Sequence, residues 1–158
     1  MKKVILLFAL AIIGLGCKSQ SPVSTKLDNK SEVAIKGDWI ISAVTYPGSE
    51  YIKISSFDIA DSKCFVGSTW KFISNNNKGN MALTKSDCIS FESTITWYIN
   101  KEGQFVMKMI DAGVKRKRVT EGVILSVANQ TESSFQLIDR INVGGKSVEV
   151  VYQFQRAV

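Results

Sequence analysis

The stretch Phe91-Glu92-Ser93-Thr94-Ile95-Thr96-Trp97-Tyr98-Ile99 alternates in character residue by residue. Phe91, Ser93, Ile95, Trp97 and Ile99 share one face, and Glu92, Thr94, Thr96 and Tyr98 the other. A period of two is the mark of a strand with one buried side. Working downstream, Asn100-Lys101-Glu102-Gly103 turns the chain, and Phe105, Met107 and Met109 line up on the next strand. Asp111-Ala112-Gly113 opens a loop; Val119, Val123, Leu125 and Val127 then fall on one side, with Glu121 the exception. After a turn at Asn129–Glu132, Phe135 and Leu137 mark another strand, and Val143-Gly144-Gly145-Lys146 reads as a hairpin. The last strand puts Val148, Val150, Tyr152, Phe154 and Arg156 on a common face.

Upstream, strands at Thr69–Ser74 and Asn80–Lys85 flank the turn Asn75-Asn76-Asn77-Lys78-Gly79. The first strand, Asp38–Tyr46, ends at Pro47-Gly48. Between it and Thr69 lies a long connection, for which a short helix is expected with Ser56 as N-cap and Phe57, Ala60 and Cys64 on one side. The sum is eight short strands with mostly short connections, the pattern of an all-β, up-and-down antiparallel meander. Left open, such a meander exposes two edges. Closing it into an eight-stranded barrel removes them, and a two-sheet sandwich is the competing architecture. The chain of 158 residues has the size of one domain, and its 45% hydrophobic content suffices for a core.

The N-terminus reads as an address. Met1-Lys2-Lys3 is positive, and Val4–Gly16 is apolar but shorter than the roughly 20 residues a membrane-spanning helix needs. This is a secretory signal, residues 1–16. Cys17 follows at once, then polar Lys18-Ser19-Gln20-Ser21. The arrangement resembles a bacterial lipoprotein signal, which implies that Cys17 becomes the acylated N-terminus. Gly14 stands where that family usually has leucine, and Gly14-Leu15-Gly16 also suits ordinary signal peptidase. Residues 17–36, rich in Ser, Lys, Asn and Asp, are expected to be a flexible tether, and residues 37–158 the barrel domain. The expected location is the bacterial cell envelope, at the outer membrane.

The Gly37-Asp38-Trp39 opening of the first strand, the long first connection and seven further meander strands resemble a lipocalin, specifically the small lipocalin-like domains of bacterial envelope lipoproteins. In that family the tryptophan closes the narrow end beneath a basic side chain from the last strand. The resemblance therefore implies a closed-end structural set of Gly37, Trp39 and Arg156. The even strand count agrees, since it brings the start of the first strand and the end of the last to the same end. The family's Thr-Asp-Tyr-type motif is only echoed by Thr131-Glu132-Ser133, and no helix is expected after the last strand.

Alternate connections of a meander lie at the same end. Cys64 and Cys88 fall in the first and third connections, so they share the open end, and an exported chain favours their pairing over two free thiols. Lys115, Arg116, Lys117 and Arg118, with Lys146, fall at the same rim, either as a solvated hairpin arm or as a cationic collar for an anionic headgroup or acidic partner. Trp70, Phe72, Trp97, Phe105, Met107, Leu125, Phe135 and Tyr152 are the side chains expected to face a ligand. The same apolar set would also fill a barrel this small completely.

Net charge is +6, falling to +4 once Lys2 and Lys3 leave with the signal (18 basic against 14 acidic residues), which is too little for a dedicated nucleic-acid binder. With no histidine, Ser-His-Asp and Cys-His catalysis and imidazole metal sites are excluded. No carboxylate pair stands out, so neither catalysis, metal nor cofactor is expected. The expected function is a membrane-anchored, monomeric binding module for a small apolar or amphipathic molecule. The alternative is an envelope lipoprotein with a filled barrel that holds a protein partner through its rim loops.

Overall fold

The computed structural model describes residues 29–48, 53–110 and 122–158. A short helix, α1 (Asn29–Ile35), precedes β1 (Gly37–Thr45). A two-stranded ladder, β2 (Ser55–Ser56) and β3 (Ala60–Asp61), and a 3-10 turn (Ser62–Phe65) follow inside the first connection. The remaining strands are β4 (Thr69–Ile73), β5 (Lys78–Leu83), β6 (Phe91–Ile99), β7 (Phe105–Met109), β8 (Val123–Ala128), β9 (Ser134–Val143) and β10 (Lys146–Arg156). Eight of them close into an antiparallel barrel in the order β1-β10-β9-β8-β7-β6-β5-β4. The expected up-and-down barrel is therefore the fold, and the sandwich is not.

β1 does the closing. Its first residues, Gly37 to Ile40, pair with β4, while Trp39 to Thr45 pair with β10. A bulge between Ile41 and Ala43 bends the strand so that it serves both neighbours. Alternation then delivers one face of every strand to the interior. In β6 the buried positions are Ser93, Ile95, Trp97 and Ile99, and in β7 they are Phe105, Met107 and Met109. Gly79, read from the sequence as the end of a turn, is a buried position of β5. A Cβ there would meet Ile95 Cγ1 at 3.0 Å, so glycine lets the strands approach.

Two expectations are corrected. The flexible tether does not run to Lys36, because Asn29–Ile35 is helical. Seven residues are too few for a helix to persist alone. This one forms by docking on the closed end, where Ile35 is fully buried and its carbonyl accepts the Trp39 Nε1 hydrogen bond at 2.6 Å. The Glu32 carboxylate, also buried, accepts from the backbone N–H of Ile99 at 3.1 Å and from Asn77 Nδ2 at 3.4 Å. Val33, Ala34 and Ile35 are consecutive and leave no helical period to read; the partners are remote in sequence.

The helix expected in the first connection is also absent. Ser56 lies in β2 and caps nothing; Asp61 is the cap, accepting from Lys63 N at 2.9 Å ahead of the 3-10 turn. Between β2 and β3, Phe57 and Asp58 both have positive φ (54° and 56°), and Ile59 N donates to Ser56 O at 3.0 Å. That is the turn favoured in tight hairpins; Asp58 tolerates its left-handed backbone, whereas Phe57 does not. The apolar residues Ile54, Phe57, Ile59 and Phe65 are buried from a ladder and a turn rather than from one helical face. Val119, Glu121 and the start expected for that strand lie outside the described residues; the strand is described from Val123.

Replacing Glu32 with alanine leaves the buried Ile99 N–H without its partner. Urea unfolding should show a loss of about 1–3 kcal/mol. Val33→Ala, at an exposed position of the same helix, should stay within about 0.5 kcal/mol of the parent.

Candidate functional site

The closed end is built from three residues that the topology brings together. Trp39 and Arg156 are register partners across β1 and β10. The Arg156 guanidinium carbon lies 4.2 Å from the centre of the Trp39 ring. Arg156 Nη1 donates to Lys36 O at 2.7 Å, and Nε donates to Glu132 O at 3.1 Å. The turn that presents Glu132 is organised by Thr131, whose Oγ1 accepts from Ser134 N at 2.9 Å. Gly37 runs beneath the guanidinium with φ 123°, and a Cβ there would land on Arg156 Nη1. Trp39 is wholly buried, edge-on to Phe135 with centroids 4.7 Å apart. This set seals the floor, and a cation over an indole face contributes about 0.5–2 kcal/mol.

Above the floor the aromatic side chains touch one another without interruption. Phe135 stacks on Phe154 at 4.6 Å, and Trp97 on Phe105 at 5.6 Å. Phe72 sits between both pairs, 5.3 Å from Trp97, 5.5 Å from Phe105 and 6.1 Å from Phe154. Trp70 continues the column, 5.7 Å from Phe154. Met107 and Leu125 are buried beside it. The indole N–H groups are satisfied locally, Trp70 by Ser68 Oγ at 2.8 Å and Trp97 by Lys78 O at 2.9 Å. All eight residues expected to face a ligand do point inward, and they face each other. A groove of about 880 Å³ lies on the outside of the wall, between outward residues such as Asp38, Thr69, Lys71, Asn80 and Thr94.

The open end is closed by the protein's own first connection. Phe57 stacks on Tyr152 at 5.2 Å and 22°, and packs edge-on to Phe65 at 5.2 Å and Trp70 at 6.5 Å. A chain of hydroxyls supports it: Tyr152 donates to Ser56 Oγ at 2.6 Å, Ser56 to Ser62 Oγ at 2.6 Å, and Ser62 to Ile54 O at 2.7 Å. The Tyr46 hydroxyl is buried beside Ser62, and burial pushes its pKa above the ordinary tyrosine value. Asp139 is a further buried acid, inward on β9 opposite Val150. Its strand had been legible only through Phe135 and Leu137. Ser56 and Phe57 are expected from the sequence on a helix and not in the mouth, and Tyr46 and Ser62 carry no signal; they reach the mouth from the end of β1 and from the 3-10 turn.

The disulfide ties this stopper down. Cys64 in the 3-10 turn bonds Cys88 in the β5–β6 connection, with Cα atoms 5.7 Å apart. Lys146 stands exposed at the β9–β10 hairpin on the same rim. Lys115, Arg116, Lys117 and Arg118 lie outside the described residues, as does Cys17.

A family model described as a lipocalin-like domain matches residues 35–137, 103 of the 158 residues. The match begins at the floor and ends within β9; β10, which supplies Arg156 and half of the partners of β1, lies beyond it. No curated protein matches the chain.

Gly37→Ala forces an unfavourable φ and displaces Arg156, so thermal unfolding should show a loss of about 2–4 kcal/mol. Removing the bridge with Cys64→Ala and Cys88→Ala together should lower stability by about 3 kcal/mol, read by denaturant titration without reductant.

Proposed function

The chain belongs to the lipocalin-like family, and on that premise we propose that it is a non-catalytic binding module of the bacterial cell envelope, exported and held at the outer membrane by an acylated Cys17. The family typically binds rather than catalyses. The ligand class is a small apolar or amphipathic molecule, taken at the open end and not in the deep interior. Below Tyr152 the barrel is packed with side chains, so recognition falls to the mouth.

The observation that carries this reading is Phe57. A bulky residue in the left-handed region is strained. Here the strain holds an aromatic ring in the mouth, stacked on Tyr152. The ring occupies the place that a ligand's apolar group would take, and swinging the β2–β3 hairpin outward would clear it from the mouth. It would also uncover the Tyr46 hydroxyl beside the Ser56–Ser62 chain. An apolar tail and a hydrogen-bonding head are thus both provided for.

A second reading rests on a different observation, the unbroken aromatic column from Trp39 to Phe57. If the stopper never leaves, the barrel is a rigid platform and the partner is a protein held by its outer surfaces.

Phe57→Gly separates the two. It suits the positive φ and empties the mouth, removing the population penalty of an occupied site. Titration with a medium-chain fatty acid, followed by tryptophan fluorescence, should show binding at least about tenfold tighter than in the parent. Absence of binding in both proteins, with Phe57→Gly still folded, would establish the filled platform instead.

A further inference from the structure

The outer wall beside α1 carries side chains that the barrel itself does not require. Register places Tyr98 opposite Val106 and Val106 opposite Ile124, one cross-strand row over β6, β7 and β8. All three point outward; Tyr98 is 42% and Ile124 57% exposed. The next row toward the open end is Lys78, Thr96 and Lys108. The Lys108 stem lies across Gly122, where a Cβ would meet its Cγ at 3.2 Å. One row further, Ile110 is 55% exposed and donates its N–H to Thr94 O at 2.9 Å. Glu92, near the open end, is the carboxylate among the outward residues described on β5 to β8.

Aliphatic side chains and a tyrosine beside lysines, with no acid among the outward residues described on these strands below Glu92 and with Lys101 and Glu102 in the turn beneath, suit one kind of surface. Tyrosine and the lysine stems settle at the boundary between headgroups and hydrocarbon, while ammonium groups pair with lipid phosphates. The route of the chain says which surface is at hand. Glu32 binds α1 to the N–H of Ile99, the residue after Tyr98, and Val33 on that helix is 56% exposed. From Asn29 back to Cys17 the chain has residues 18–28 between, which even fully extended reach at most about 40 Å.

We propose that the outer face of β5 to β8 docks on an anionic bilayer surface. The proposal takes the nearness of the bilayer from the anchoring at Cys17, but its test removes that anchor, so the two stand or fall apart. The barrel then lies on its side, with the mouth open along the membrane plane.

The test uses the chain carrying Cys17→Ser, labelled with an environment-sensitive fluorophore at Ile124→Cys or, on another wall, at Ser147→Cys. Vesicles are phosphatidylcholine alone or with about a third phosphatidylglycerol. The label at 124 should shift to the blue on anionic vesicles only, and about 0.5 M salt should reverse the shift. The label at 147 should not respond. Lys78→Glu with Lys108→Glu should weaken the response by about tenfold or more. A label at 124 that stays in water at saturating anionic lipid overturns the proposal, as do equal shifts at both positions. A shift that grows with protein concentration in the absence of lipid overturns it too, and assigns the face to a second copy. Flotation of the unsubstituted protein against Cys17→Ser reads the anchor separately.

Discussion

Everything in this barrel hangs on the place where its two ends meet. Arg156 reaches from the last strand across Gly37 to lie on Trp39, and its remaining donors hold the carbonyls of Lys36 and Glu132. One side chain thus joins the entry to β1, the exit of β10 and the β8–β9 turn. A guanidinium suits this place because its planar fork bonds two carbonyls while its face covers an indole. The closure of the sheet, the seal of the floor and the seat of α1 depend on the same few atoms, since Trp39 also binds Ile35 O through its ring nitrogen.

The second constraint is volume. An eight-stranded barrel has room for its own side chains or for one small ligand, and large aromatics on consecutive inward positions choose the first. Phe72 alone touches rings from β6, β7, β9 and β10. The protein then treats its two ends differently. The floor is closed by an arginine that donates to two backbone carbonyls. The mouth is closed by Phe57 in a strained turn, stacked on Tyr152. The strained turn lies at the mouth and not at the floor, so the mouth is the end that can yield to a ligand.

The regular parts were legible because alternation is a local property. Phe91 to Ile99 reads as a strand buried on one side from nine residues alone, and its buried face is the one read. Cys64 and Cys88 were legible through topology, since a meander puts the first and third connections at one end. Helix α1 was not legible: its stability comes from Ile99 and Asn77, which are more than forty residues away. The β2–β3 hairpin was hidden for the same reason, because Phe-Asp is a poor turn by propensity and is held by contacts with Tyr152 and Trp70.

By itself the amino-acid sequence determined the number of barrel strands, the inward face of most of them and, through the even count, the meeting of first and last strands. These follow from a period of two and from the rule that sequential strands pair. Only the tertiary structure decided that the inward aromatic rings pack on one another and that the mouth is stoppered by the chain's own phenylalanine. Which rings touch depends on how strands curve and where a turn aims a side chain, and those are set by contacts between residues far apart in the chain.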